Sequence, residues 1–406
     1  MTGLLGLFEG YGVEIEYVIV DRSTLSVLPI ADRLMEVVAG EPVDEIVLGE
    51  IAWSNELALH VLELKTNGPA AQLSPLPVLF HSHVRGAGER LAPLEGRLMP
   101  GGMHPWMDPA RESRLWPHEY NEVYRALDRI FGCAGHGWTN LQSTHLNLPF
   151  ANDEEFRRLH AAIRVVLPLV PALAASSPVV DGRIGRALDE RLVAYRSNAR
   201  RVPSVTGDVI PEPIGSLAEY RERILEPIYR DLAPLDPEGV LRHEWVNARG
   251  AIARFERGSI EIRLLDTQEC PTADIAVVAA VVAAVRRLVR TVDPDEANAI
   301  PTPILAGVLD DTIREAERAR IPEGPYPRLL GERGSPTAQG MWEELLSRDP
   351  GPADDPALRP ALERIVERGP LARRILAALD RPPTPDALRE TYRRLCDCLA
   401  ADEPFG

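Results

Sequence analysis

The chain has 406 residues, 45 basic against 61 acidic side chains, and a formal net charge of −16 with histidine neutral. That length accommodates two or three domains, or one large domain with an appendage. A composition of 45% apolar and 26% charged residues is globular, and the acidic balance argues against nucleic-acid or anionic-membrane partners, whose surfaces would repel it. The longest apolar run, Ile275 to Val285, is far short of the roughly 20 residues a bilayer demands. Met1 to Phe8 lacks a basic leader, so no secretory signal is expected. The four cysteines, Cys133, Cys270, Cys396 and Cys398, suit neither a disulfide framework nor a zinc site, and the expectation is reduced thiols in a cytoplasmic protein. Lys65 is the only lysine, so guanidinium forks must do most of any phosphate or carboxylate binding.

In chain order, Tyr11 to Asp21 alternates and is rich in Val, Ile and Tyr, which predicts a strand. Ala31 to Val38 predicts a short helix. Val61 to Thr66 predicts a strand ended by the turn Asn67-Gly68-Pro69. Leu73 to Leu91 and Glu119 to Phe131 have helical spacing, and the stretch between them, Met99 to Pro117, reads as a loop. Ser143 to Leu148 predicts a strand, and Asp153 to Leu173 a helix bent near Pro168 and Pro171. Ser176 to Ser216 is polar, Gly- and Arg-rich and without period, as a functional loop would be. Ile252 to Phe255 and Ser259 to Leu265 predict paired strands turning at Arg257-Gly258, and Ala273 to Val292 a buried Ala/Val helix. From Ile304 to Leu399 only helical patterns remain. Strands and helices do not alternate as βαβ units, so the expected class is α+β around a largely antiparallel sheet with flanking helices. A soft boundary near 295 divides an α+β domain, 1–295, from a helical C-terminal portion, 296–406, packed on it.

Residues two apart on a strand share a face. Glu14 and Glu16 therefore oppose Val13, Ile15 and Tyr17. Glu63 and Lys65 oppose Leu62 and Leu64, with Glu56 seven residues upstream of Glu63. Ser143, His145 and Asn147 share a third strand face, and Glu261 and Arg263 a fourth. One such strand is an ordinary solvated face. Four with one pattern would gather Glu14, Glu16, Glu63, His145 and Glu261 on the polar side of a single sheet. Carboxylates so crowded repel unless cations lie among them. Oxygen-rich ligands with one imidazole favour Mg²⁺ or Mn²⁺ over zinc, and such a cluster beside arginines suits nucleotide phosphates. There is no Walker-type phosphate loop, no dinucleotide fingerprint after a strand and no serine nucleophile elbow. Gly101-Gly102 reads as a tight turn, and Cys133, among turn formers, carries no sign of an activated thiolate.

These residues are familiar as a set. The chain resembles the type 2 glutamate–cysteine ligase family, the carboxylate–amine ligases, through six pieces in the family's order. They are Gly12-Val13-Glu14-Ile15-Glu16-Tyr17, Val61-Leu62-Glu63-Leu64-Lys65-Thr66, Gly101-Gly102-Met103-His104-Pro105, Gln142-Ser143-Thr144-His145-Leu146-Asn147, Ala174-Ala175-Ser176-Ser177-Pro178 and Gly258 through Asp266. The resemblance implies a glutamine-synthetase-like catalytic sheet curved into a funnel, holding ATP and Mg²⁺, with Mn²⁺ as a substitute. By the same resemblance Glu14, Glu16, Glu56, Glu63, His145 and Glu261 are the expected metal ligands, and Arg263 the expected contact to phosphate or acyl phosphate. Arg191 and Arg254 are the further catalytic candidates, and Arg249 joins Arg263 as a nucleotide-binding candidate. The implied reaction is ATP-dependent amide formation between a glutamate-like carboxylate and an amino acid or amine. Partners would be small-molecule substrates, with a homo-oligomer admitted. Where the family often has a second histidine in the third strand this chain has Ser143, and where a glycine usually follows it has Asn147. These departures leave donor and acceptor open. A guanidino-kinase-like phosphotransferase and a catalytically silent binding protein are the alternatives.

Overall fold

Gly12–Asp21 forms β1, and the main sheet is organised around it. The computed structural model describes residues 4–119, 121–331, 336–348 and 350–406. Strands β2 (Glu45–Leu48), β3 (Ile51–Asn55), β4 (Val61–Thr66), β5 (Gly96–Met99) and β6 (Ser143–Pro149) follow. A small separate hairpin comprises β7 (Val179–Val180) and β8 (Arg183–Ile184). The last strands are β9 (Ala251–Arg254) and β10 (Ser259–Asp266). The large sheet runs β2-β3-β4-β1-β6-β10-β9, entirely antiparallel, with β5 paired to the second half of β1. The sequence pattern did not disclose β2, β3 and β5. Two of them are four residues long, and β3 mixes Ser and Asn with Ile and Trp, so none offers a clean alternation.

One face of the sheet is apolar. Val13, Ile15, Tyr17, Leu62, Leu64, Leu146 and Ile262 are buried there, in the core that also holds residues of the Leu76–Leu91, Asp153–Val166 and Pro271–Thr291 helices. Asn152 caps the second of these by accepting a hydrogen bond from the Glu155 N–H at 3.0 Å, and Asp153, Glu154 and Glu155 complement its positive end. That helix gives way to a 3₁₀ turn at Leu167–Leu169 and restarts at Pro171, where the prolines remove backbone donors. Pro271–Thr291 is buried all round from Ile275 to Val285, as a helix covered by sheet on one side and further helices on the other must be. Its outer side meets Ala338–Arg348 and Arg359–Arg368. Among the described residues no helix is long and apolar enough to cross a membrane. The helix expected from Glu119 begins at Asn121, and Tyr120 lies outside the described residues, as do 1–3 of the leader stretch.

The opposite face changes character along its length. Beyond Glu16, the alternation continues as Val18 and Val20, and with Val61 and Met99 these pack against Leu371, Ile375, Leu388, Tyr392 and Leu395. The last two helices, Leu371–Ala377 and Pro385–Ala401, therefore plug one end of the face that bears the carboxylates. Arg374 is buried in an ion pair with Glu269 and donates to the Phe405 carbonyl at 2.7 Å, fastening this plug to the body.

Burial pushes three imidazoles, His60, His104 and His160, down to about 4. Above 6.5 they are neutral whether the chain is folded or not. As pH falls from 6.5 toward 4 the unfolded chain takes up protons that the folded chain refuses, so stability drops by about 1.4 kcal/mol per pH unit for each histidine. His160 has no hydrogen-bond partner at either nitrogen and sits between Phe156 and Tyr220. His160→Phe should therefore flatten this acid limb by about one proton, read from urea unfolding at pH 4.5 to 7.5. An unchanged slope would exclude His160 as a source of the acid sensitivity.

Candidate active site

Register decides which side chains meet. Across β1 and β4, Glu16 is opposite Glu63 and Glu14 opposite Lys65. Across β1 and β6, Glu14 is opposite His145, and Glu261 of β10 is opposite Asn147. Paired residues point the same way, so these strands bring their acids onto one face. Glu56, just past β3, joins them at the rim of a cavity of about 890 Å³ that Glu14, Glu16, Glu63, His145 and Glu261 also line.

Within the cluster, His145 Nδ1 lies 3.2 Å from Glu14 Oε2, and its Nε2 lies 2.9 Å from Ser143 Oγ and 3.8 Å from Glu16 Oε1. The Ser143 N–H donates to Glu16 Oε2 at 2.9 Å, and the Ser54 hydroxyl to Glu63 Oε1 at 2.6 Å. Lys65 Nζ sits 3.4 Å from Glu63 and 2.7 Å from Glu45. Arg257, in the β9–β10 turn, reaches Glu14 at 3.1 Å. Two sets of donor atoms, Glu14–Glu63–His145 and Glu16–Glu56–Glu63, each lie within 4.8 Å of one another and share Glu63. Glu261 belongs to neither set. One of its oxygens takes Arg254 at 2.5 Å and the other is forked by Arg263.

The electrostatics fit a site built for added cations. Burial, then the negative charge of Glu16, pushes Glu56 up to about 7. Burial, then Glu14 and Glu56, pushes Glu63 up to about 8. Glu16 is raised by burial as well. His145 rises to about 9 because Glu14, Glu16 and Glu261 outweigh the opposing cost of burial. Glu261 goes the other way, held well below the usual carboxylate range by Arg263 and Arg254 against its burial. Four carboxyl oxygen donors, buried or half-buried, and one imidazole, several protonated for want of counter-charge, match hard divalent ions such as Mg²⁺ or Mn²⁺.

Arg191 reaches the cavity from the Glu190–Tyr195 helix with its guanidinium anchored on Asp266 in a fully buried pair. Asp266 in turn accepts the Ser176 N–H at 2.9 Å and the Ser177 hydroxyl at 2.7 Å. Gly102 presses on the same carboxylate so closely that a Cβ there would clash with it, and Gly101 holds φ +100° to make the turn. The Gly101-Gly102 and Ser176-Ser177 pieces of the sequence pattern thus form a cradle for Asp266. A regular β10 would turn Asp266 toward the apolar face. A bulge between Ile262 and Leu265 sets Arg263 and Leu264 against the single residue His145, and Asp266 then pairs with Ser143 on the acid side. The alternation in the sequence does not show that bulge, so it does not mark Asp266.

The structure does not bring Arg249 to this cavity. It was expected at the nucleotide, but its guanidinium is forked onto Glu212 at 2.6 and 2.7 Å, and it is absent from the cavity lining. It donates also to the Ser204 carbonyl at 3.0 Å, bracing the long loop behind the wall. Tyr195, placed beside Arg263, and Arg257 also line the cavity though periodicity leaves them unmarked, the first in a short helix and the second in a hairpin turn.

Metal ligands must shed protons. With Glu56 near 7, Glu63 near 8 and His145 near 9, Mn²⁺ affinity should strengthen from pH 6 to pH 9 by about tenfold per unit for each proton displaced. Calorimetry in buffers of differing ionisation heat should show proton release. A pH-independent affinity would rule out the cluster as the binding site. Asp266→Asn leaves Arg191 buried without its counter-charge and should cost about 3 kcal/mol in guanidinium unfolding.

Residues 11–397 match the model of glutamate-cysteine ligase family 2. An uncharacterized protein of Archaeoglobus fulgidus is 34% identical over 401 residues, spanning 97% of this chain and 99% of its own length. A Rubrobacter xylanophilus protein provisionally assigned as glutamate–cysteine ligase 2-3 is 27% identical over 290 residues, 70% of this chain and 71% of that one. The glutamate–cysteine ligase of Francisella tularensis, solved in complex with AMP, superposes with a TM-score of 0.60 at 13% identity, covering 95% of this chain and 88% of that chain. That likeness establishes a shared fold, the glutamine-synthetase-like sheet expected from the sequence. The strand-borne acids, the sheet and the family match agree: the chain belongs to glutamate–cysteine ligase family 2.

Proposed function

We propose that this protein is an ATP-dependent ligase that joins a glutamate-like carboxylate to an amine through an acyl phosphate. The observation that carries the reading is the pair of donor sets sharing Glu63, with Arg191, Arg254, Arg257 and Arg263 around the same cavity. A carboxylate and a triphosphate repel, so a site that unites them needs fixed positive charge and little water. Divalent ions held by Glu14, Glu16, Glu56, Glu63 and His145 would supply Lewis acidity and charge screening for the phosphates. The carboxylate oxygen attacks the γ-phosphorus, and the bond to ADP breaks. The amine nitrogen then attacks the acyl carbon, phosphate leaves with the C–O electrons, and the amine loses a proton.

In these steps the chain's own groups have separate tasks. Arg263 and Arg254, now paired with Glu261, are guanidinium forks poised to take phosphoryl oxygens. Arg191, fixed by Asp266, holds positive charge at the cavity floor and donates toward the Arg263 carbonyl at 3.4 Å. Ser143 and Glu14 orient the His145 ring from its two nitrogens.

The test is an ADP-release screen of glutamate and its analogues against a panel of amines with Mg²⁺ present, with products weighed by mass spectrometry. An amide supports the ligase; a stable phosphorylated product would instead identify a phosphotransferase. Glu16→Gln and Glu261→Gln should each lower kcat at least about a hundredfold with folding intact. Wild-type turnover in both would defeat the site assignment.

A further inference from the structure

Tyr195 lines the catalytic cavity from the end of the short helix Glu190–Tyr195. Arg191 stands four residues earlier, so the two side chains share one helix face and reach the same cavity. The helix is a fixed support. Asp189 caps it by accepting the Leu192 N–H at 2.8 Å, Asp266 anchors the Arg191 guanidinium, and the Tyr195 carbonyl accepts the Asn198 N–H at 3.2 Å.

The ring is buried, with 8% of the residue exposed, yet its hydroxyl makes no hydrogen bond among the described residues. Arg263 lies beside it, but a guanidinium has only donors to offer. The hydrogen of the phenol is therefore left without an acceptor, and burial, which raises the Tyr195 pKa, keeps that hydrogen in place at neutral pH. An unmet buried hydroxyl disfavours folding, and phenylalanine would fill the same space without it. Other buried tyrosines differ. Tyr220 accepts from Asn247 Nδ2 at 2.8 Å and from the Ala253 N–H at 3.0 Å. Tyr17 and Tyr392 also lack partners, but neither lines the cavity.

The neighbours of the hydroxyl indicate what it would meet. Each guanidinium near it already has an acidic partner, Arg191 with Asp266 and Arg254 and Arg263 with Glu261, so the hydroxyl adds a donor without adding charge. A carboxylate's pair of oxygens is used up by one guanidinium fork, whereas a phosphoryl group in transfer presents three outer oxygens. It can occupy a fork and a hydroxyl together.

We propose that Tyr195 is a catalytic residue whose hydroxyl donates a hydrogen bond to the transferred phosphoryl group, at an oxygen beside the one Arg263 takes. This rests on the ligase reading above, in which Arg263 is a phosphoryl contact. The phosphoryl group is met either on the nucleotide or, once transferred, on the acyl oxygen.

The experiment compares Tyr195→Phe with the wild type and uses Tyr220→Phe as its control. In urea, the unfolding midpoint of Tyr195→Phe should equal or exceed that of the wild type, because no hydrogen bond is lost, while that of Tyr220→Phe should fall. By calorimetry with Mg²⁺, Tyr195→Phe should bind adenylyl imidodiphosphate about tenfold more weakly and ADP within about twofold of the wild type. With the donor and amine panels its kcat should fall at least about tenfold. Unchanged affinity for the analogue with that loss of kcat assigns the contact to the acyl phosphate and sustains the inference. Unchanged affinity and unchanged kcat overturn it, as does an equal loss of affinity for ADP. A lowered unfolding midpoint overturns it because the hydroxyl would then be structural. A raised KM for donor or amine with kcat intact overturns it by giving the hydroxyl to a substrate carboxylate. Should no substrate pair release ADP, the ligase reading is what fails, and the analogue alone decides Tyr195: the weaker binding sustains it, while unchanged affinity, or a wild type that binds no nucleotide, removes it.

Discussion

Crowded negative charge governs this molecule. Glu14, Glu16 and Glu63 are drawn together by strand register, with Glu56 from the end of β3 beside them, in a place where burial alone disfavours their ionised forms. Folding tolerates the crowding because the apolar sides of the same strands bury Val13, Ile15, Leu62 and Leu64 against helices, each worth about 2 kcal/mol by area. The acids are the cost of a preorganised cavity, and the cations around it reduce that cost: His145, Lys65 and Arg257 by direct contact, Arg191 from below. Added divalent charge would complete what these side chains begin.

The arginines show how a rigid site is made from flexible side chains. Arg191 carries a long aliphatic stem with many rotamers, yet it is fixed by Asp266, which is itself fixed by Ser176, Ser177 and the Gly101-Gly102 turn. Segments more than a hundred residues apart thus converge on one carboxylate. Glu261 does the same for Arg254 and Arg263. Each guanidinium is thus held in one orientation by a buried carboxylate.

Much of this was legible in the chain. Period-two alternation marked β1, β4, β6 and β10 and told which side of each carries its polar or charged residues, because one face is apolar and the other is not. Helices whose apolar residues follow the 3.6 period were equally plain. What stayed hidden has physical reasons. β2 and β5 have four residues each, too few for a pattern. The bulge in β10 is a backbone event with no side-chain signature, so alternation alone does not bring Asp266 to the acid side. Arg249 and Arg191 look alike in sequence, and only tertiary partners, Glu212 for one and Asp266 for the other, separate the brace from the cavity residue.

The extra residue in β10 has a wider meaning. Because Arg263 and Leu264 together oppose His145, everything C-terminal to that point is rotated by half a pleat relative to everything before it. Chain length there is itself heritable information. A relative shortened by a single codon in that strand would keep its glutamate and arginine yet lose the anchor beneath Arg191, and no conservative replacement of side chains would restore it.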